Sequence, residues 1–170
     1  MDEINRIILE LKQKNHQSFE TFYHLTKNQV FYAIIPIIKD RNLTEDLMQE
    51  TYMKFLENIS NIKINANPVA YLSTIARNLA LNTYNKRKKE IFSEDIIDNI
   101  QAEVIEQPSE DIFKLLDILD QDEKAVITLH VINDLKFREV ASVMKKPLGT
   151  VLWIYQKGIK KMKERVGEII

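Results

Sequence analysis

Thr150, Leu152, Trp153, Lys157, Lys160 and Lys161 lie on one periodic stretch that begins at Gly149. Ahead of it, Phe137 to Met144 reads as a short helix, and Lys145-Lys146-Pro147-Leu148 as the turn between the two. Helix, tight turn and second helix make a helix-turn-helix, whose second helix is available for a major groove. Val140, Ala141, Met144, Leu148, Val151 and Tyr155 have the spacing to pack the pair, and the small Ala141 permits a close crossing. Thr150 falls near the start of the second helix, where exposed amides and a hydroxyl suit a phosphate. Lys157, Lys160 and Lys161 fall toward its far end, within reach of a nucleic-acid backbone. A plain helical hairpin with a solvated basic face fits the same residues.

A second set lies between Asn67 and Lys89. Ala70-Tyr71-Leu72-Ser73-Thr74-Ile75-Ala76-Arg77-Asn78-Leu79-Ala80 runs on to Asn82, Tyr84, Asn85, Lys86 and Arg87. Aromatic rings, amides and bases on one helix supply stacking surface, base-edge hydrogen bonds and phosphate neutralisation, as a single-strand binder requires. An amphipathic helix with a polar outer face is the competing reading.

Other chemistry has little footing. Cysteine is absent, which excludes disulfides and thiolate metal sites. His16, His24 and His130 are scattered without metal-ligand spacing, so no metal site and no cofactor is expected. Neither a nucleophile elbow, a phosphate loop nor a dinucleotide fingerprint occurs. The acids Asp117, Asp120, Asp122 and Glu123 read as helix ends rather than a paired catalytic site, and an enzyme is not expected.

The elements that position these sets are helical. Of 170 residues only 3 are Gly and 4 Pro, while 45% are apolar and 29% charged, the balance of a globular chain. Ile4, Ile7, Ile8 and Leu11 give a first helix an apolar stripe. Ser18 is expected to cap a second helix bearing Phe19, Phe22 and Tyr23, and Asn28 to Lys39 a third, which Pro36 should kink or end. Thr44-Glu45-Asp46 is expected to start the next, running to about Asn58. Asn67 as cap and Pro68 at the first position open the long polar helix. Ser109-Glu110-Asp111 and Asp120-Gln121-Asp122-Glu123 start two more, the latter reaching Val131.

Net charge is −1, but its distribution is uneven. Lys86, Arg87, Lys88 and Lys89 form a basic cluster, every charged residue from Glu90 to Asp111 is acidic, and bases return beyond Lys136. The fold class expected is all-α: two small helical domains, 1–89 and 109–170, joined by an acidic linker, 90–108. No secretory signal or membrane-length apolar run is seen, so a cytoplasmic protein without membrane insertion is expected.

Thr44-Glu45-Asp46-Leu47-Met48-Gln49-Glu50-Thr51-Tyr52, then Ala70-Tyr71-Leu72 and Ile75-Ala76-Arg77-Asn78-Leu79-Ala80, closely resembles region 2 of the extracytoplasmic-function sigma factors of bacterial RNA polymerase. Leu119-Asp120-Gln121-Asp122-Glu123-Lys124-Ala125-Val126, Phe137-Arg138-Glu139-Val140-Ala141 and Gly149-Thr150-Val151 resemble region 4 of the same group, in the same order. The resemblance implies a factor that directs core polymerase to promoters and assists their melting. It implies that Asp46, Gln49 and Glu50 dock on the β′ clamp helices, with the β flap as a further polymerase contact. Tyr71, Arg77, Asn78, Asn82, Lys86 and Arg87 would meet the −10 element, and the loop from Asn61 to Asn67 would capture a flipped base. Thr150, Leu152, Trp153, Lys157, Lys160 and Lys161 would meet the −35 element. An anti-sigma factor is a common partner in the group.

Two departures qualify this. Tyr71 stands where the family often has tryptophan, which keeps an aromatic body. Leu152-Trp153-Ile154 stands where many relatives show a basic or polar triplet; apolar side chains can touch thymine methyls but cannot hold guanine bidentately. Trp153 in the core is the more ordinary reading of that residue. The apolar triplet also leaves open a sigma-like adapter, and a plain helix-turn-helix regulator that recruits no polymerase is a second alternative.

Overall fold

The computed structural model describes residues 3–15, 17–63, 66–93 and 115–169, in which all regular structure is helical. Seven helices follow one another: α1 (Glu3–Lys12), α2 (Ser18–Ile38), α3 (Arg41–Glu57), α4 (Pro68–Ser93), α5 (Gln121–Ile127), α6 (Phe137–Met144) and α7 (Leu148–Ile169). A 3-10 turn (Ile59–Asn61) follows α3, and a π-helical turn (Thr128–Ile132) extends α5. Most of the expected acidic linker and the cap expected at Ser109 lie outside the described residues.

The N-terminal half is a four-helix packing of α1 to α4. Ile7, Ile8 and Leu11 of α1 are buried as the stripe predicts. They join a core holding Phe22, Val30, Ile34, Leu47, Tyr52, Phe55, Leu72, Ala76 and Ala80. Phe22 stacks on Phe55 at 4.9 Å between ring centroids, and Tyr52 meets Phe22 edge-on at 6.1 Å. The Tyr52 hydroxyl lies 2.9 Å from the Thr26 hydroxyl, and burial pushes its pKa up.

Local expectations hold unevenly. The two helices expected from Ser18 to Lys39 are one, α2, because nothing near Lys27-Asn28 breaks the period. Ser18 is not a cap but the first helical residue, buried, with its hydroxyl donating to the Glu10 carboxylate. Pro36 sits near the end of α2, which ends two residues later at Ile38, with Lys39 after it in a left-handed conformation, φ 55°. α3 begins earlier than expected. Asp40 caps it, accepting from Leu43 N at 3.0 Å, while Thr44 is buried inside and donates back to the Asp40 carbonyl at 2.7 Å. Asn67 caps α4 as expected, accepting from Val69 N at 3.0 Å and Ala70 N at 3.3 Å. The helix carries on to Ser93, so the first residues of the expected linker are helical.

The C-terminal half packs α5, α6 and α7 around Val126, Leu129, Leu135, Val140, Val143, Val151 and Ile154. Asp120 and Glu123 form a capping box at the start of α5, each side chain accepting from the other's backbone N–H at 2.9 Å. Gly158 lets α7 approach α5 closely, since a Cβ there would stand 2.8 Å from Ile127 Cδ1. His130 is a packing residue: Nδ1 lies 2.8 Å from the Leu135 carbonyl, and the ring stacks on Phe137 at 3.9 Å.

The halves touch through α2 and α4 on one side and α5, the π turn and α6 on the other. Asn133 Nδ2 donates to the Gln29 carbonyl at 3.1 Å and to Ser73 Oγ at 3.0 Å. Asn67 Nδ2 donates to Glu139 Oε1 at 2.9 Å. Val69 and Ala70 pack against the C-terminal core. Asn133 and Ser73 are buried there.

Candidate nucleic-acid interface

α4 presents two distinct faces. Tyr71, Asn78, Asn82 and Lys89 recur at i, i+7, i+11 and i+18, which places them on one side of the helix. Tyr71, Asn82 and Lys89 are exposed, Asn78 is half-buried, and Asn85 and Lys86 continue the stripe. Tyr71 leans on Phe55 at 6.0 Å between centroids, which fixes its ring while leaving the edge open. Arg87, also exposed, pairs with Asp40 at 3.6 Å.

Arg77 belongs to the other face. It is 7% exposed, beside Ser73 and under the C-terminal half, with its guanidinium 4.0 Å from an Asp122 carboxylate oxygen. Burial lowers its pKa, and Asp122 opposes that shift. The set of −10 candidates therefore divides: Tyr71, Asn78, Asn82, Lys86 and Arg87 are reachable, and Arg77 is covered. Helical spacing could have separated Arg77 from Asn78, since neighbours point about 100° apart, but not which face the second half would cover.

On α7 the outward face is Gly149, Leu152, Trp153, Gln156 and Lys160, all exposed. Trp153 is 61% exposed and so is not the core residue expected; Ile154 beside it is buried, as is Val151. Thr150 is exposed near the helix start. All three expected phosphate contacts have carboxylate partners, Lys160 only at 3.9 Å from Glu164. Lys157 Nζ lies 3.2 Å from Asp120 and 3.0 Å from Glu123, and Lys161 Nζ 2.7 Å from Glu123. Lys157 also stands 5.4 Å from the Trp153 ring centroid.

This cluster joins α7 to the cap of α5. Burial tends to raise the Glu123 carboxyl, but the Lys161 ammonium, the Asp120 N–H and Lys157 outweigh it and hold it below the ordinary range. Asp120 is lowered likewise, by the Glu123 N–H and Lys157 against its own desolvation. Hydrogen bonds to Glu123 and Asp120 raise Lys157 in turn.

Asp46, Gln49 and Glu50 are all exposed on α3, and Glu50 pairs with Lys54 at 3.4 Å. Met53, 62% exposed, extends this stripe by one turn. Nothing in the sequence singles it out, and the burial of Tyr52 and Phe55 on either side shows that it points outward. The loop Asn61 to Asn67 is described only in part. Among the described residues, no group of acids and histidines is placed to hold a metal ion, and no helix is long and apolar enough to cross a membrane.

Residues 22–90 match the family described as Sigma-70 region 2. The ECF RNA polymerase sigma factor SigM of Bacillus subtilis (strain 168) is 25% identical over 134 residues, 75% of this chain and 82% of its own length. SigW of the same organism is 21% identical over 98% of both chains. EcfG of Rhodopseudomonas palustris is 30% identical over 63% of this chain and 62% of its own length. Among solved structures, the sigma factor RpoE of Bartonella quintana, in complex with the anti-sigma factor NepR, superposes with a TM-score of 0.75 at 22% identity, covering 89% of this chain and 98% of that one. CnrH, in complex with the cytosolic domain of CnrY, gives 0.71 at 15% identity, covering 98% and 99%. With a region 2 helix set followed by a helix-turn-helix, and relatives that span both, the chain is similar along most of its length to extracytoplasmic-function sigma factors.

Proposed function

We propose that the chain directs RNA polymerase core to specific promoters and assists their melting, residues 1–89 serving as region 2, 90–108 as the acidic linker and 109–170 as region 4. The observation that carries this is the open stripe of Tyr71, Asn78, Asn82 and Lys86 on the helix of the region 2 match. Rings and amides on that stripe suit unstacked bases, and the bases at its end suit phosphates. Captured bases favour the melted strand, so binding shifts the duplex toward the open state. The α3 stripe of Asp46, Gln49 and Glu50 supplies acids and an amide for a basic partner surface, in this reading the β′ clamp helices, with Met53 as its apolar element. The outer face of α7 meets the upstream duplex.

Catalysis belongs to the polymerase, and the chain itself is not an enzyme in this reading; it works where polymerase works, in the cytoplasm. Arg77 reaches DNA only once the two halves part. The interface that covers it is held by the apolar contacts of Val69 and Ala70 and by Asn67, Ser73, Asn133 and Asp122, polar groups that water can satisfy equally well. An anti-sigma factor that grips both halves would hold that interface shut, and the similarity to RpoE, solved in complex with the anti-sigma factor NepR, supports this partner class.

The test is binding to core polymerase followed by run-off transcription from a genomic fragment library. The wild-type chain yields discrete transcripts, Asn78→Ala with Asn82→Ala loses them while still binding core, and Asp46→Lys with Glu50→Lys loses core binding. Core binding with no transcript from any fragment points instead to a sigma-like adapter. Palindromic footprints without polymerase point to a simple helix-turn-helix regulator.

A further inference from the structure

The first two turns of α7, Leu148 to Gln156, contain no charged residue. Base edges are read by the N-terminal residues of a recognition helix, and guanine is held best by a bidentate arginine or lysine. Neither residue is available there. Lys157, the first cation along the helix, is held by Asp120 and Glu123 and stands against Trp153.

What the face does offer is two exposed apolar side chains, Leu152 and Trp153, and one exposed amide, Gln156, a turn further on. Thymine carries the major-groove methyl, and a carboxamide pairs bidentately with adenine N6 and N7. A Cβ at Gly149 would meet no atom within 4 Å, so the helix start is open to close approach. Exposed bases flank this uncharged stretch in the chain: Arg138 on α6, Lys145 in the turn, and Lys160 and Lys163 further along α7. An uncharged centre with cations on either side complements a duplex, bases in the middle and phosphates at the edge.

We infer that the outer face of α7 selects an A·T-rich upstream element, with Leu152 and Trp153 packed on thymine methyl groups and Gln156 paired with adenine. This rests on the sigma-factor reading and specifies what region 4 recognises. Leu152 and Trp153 are specificity-determining residues in it, and Lys157 and Lys161 are positioning residues that hold α7 on α5.

The experiment uses holoenzyme assembled from core polymerase and the full chain, with promoters randomised over the upstream element and selected by transcription. The selected block is expected to be dominated by A·T pairs. Replacing its thymines by deoxyuridine removes the methyl group alone and is expected to weaken promoter binding about fourfold per contacted methyl. Leu152→Ala with Trp153→Ala abolishes the preference for thymine over uracil, and Gln156→Ala relaxes selection at the adenine. All three side chains are exposed, so unchanged thermal unfolding of the variants shows that folding is intact. A selected block dominated by G·C pairs overturns the inference, as does equal binding of thymine and uracil promoters or discrimination that survives in the double variant. Promoter-specific transcription without any upstream A·T preference overturns this inference and leaves the sigma-factor reading standing. Failure to bind core polymerase overturns both.

Discussion

On α4, Arg77 and Ser73 are closed over by the C-terminal half; on α7, Leu152 and Trp153 face outward from a helix whose other side is equally well packed. Both helices carry a candidate nucleic-acid face. They differ in what the rest of the chain does with it. The α4 face toward the second half is mixed: Val69 and Ala70 pack on the C-terminal core, and beside them stand hydrogen bonds and one long ion pair. The α7 face is anchored from behind by the Asp120, Glu123, Lys157 and Lys161 cluster, which fixes the helix but leaves its outer side open. In the proposed reading, movement of the halves covers or exposes Arg77 while the Tyr71, Asn78 and Asn82 stripe stays reachable, whereas the α7 face is fixed by packing within one half.

The anchoring cluster should carry the largest effect. Glu123 is 1% exposed, caps α5 and accepts from Lys161. Glu123→Ala should destabilise the C-terminal half by about 3 kcal/mol, read by denaturant unfolding, because a cap and a buried acceptor are lost together. The same carboxylates set a pH limit. Asp120 and Glu123 are lowered in the folded chain, so the stability they contribute is fully present above the ordinary carboxylate range. It is lost as pH falls through their lowered values. Acid unfolding of wild type should therefore be steeper below about pH 4 than that of Glu123→Gln.

Neighbours on α7 sharpen the contrast between anchored and open sides. Val151→Ala, fully buried, should cost about 2 kcal/mol. Trp153→Ala should stay within about 0.5 kcal/mol of wild type in stability while losing upstream recognition. Equal destabilisation by the two would mean that Trp153 is core after all.

The interface between halves should be weaker. Asn133→Ala removes two hydrogen bonds across it and should cost about 1 kcal/mol. A double-mutant cycle with Ser73→Ala should give a coupling of similar size, and none if the halves are already apart in solution. The smallest effect should come from the exposed Arg41–Glu45 pair, 3.0 Å apart, where Glu45→Ala should change stability by less than about 0.5 kcal/mol.

Periodicity and caps made α1, α4, α6 and the start of α5 legible, because Asn67-Pro68 and Asp120 to Glu123 satisfy backbone donors locally. The start of α3 was not, since Asp40 and Thr44 are both competent caps and only the burial of Thr44 decides between them. The π turn that closes with Asn133 N on the Thr128 carbonyl at 3.0 Å has no local signature. In the candidate sites, residue types pointed to Tyr71, Asn78 and Asn82, and spacing placed Asp46, Gln49 and Glu50 together. The outward turn of Met53 and Gln156 and the covering of Arg77 depend on long-range packing, which neighbours in the chain do not encode.

Run-off transcription with the two halves bridged and unbridged tests the account most directly. The chain has no cysteine, so Asn67→Cys with Glu139→Cys offers one site pair for a short cleavable bis-maleimide across the interface. Discrete promoter-dependent transcripts are expected from the unbridged variant with core polymerase, none from the bridged one, and their return when the bridge is cleaved. Equal transcription from the bridged chain would contradict the need for the halves to part, and no specific transcript from the unbridged or wild-type chain with core polymerase would contradict the sigma-factor function itself.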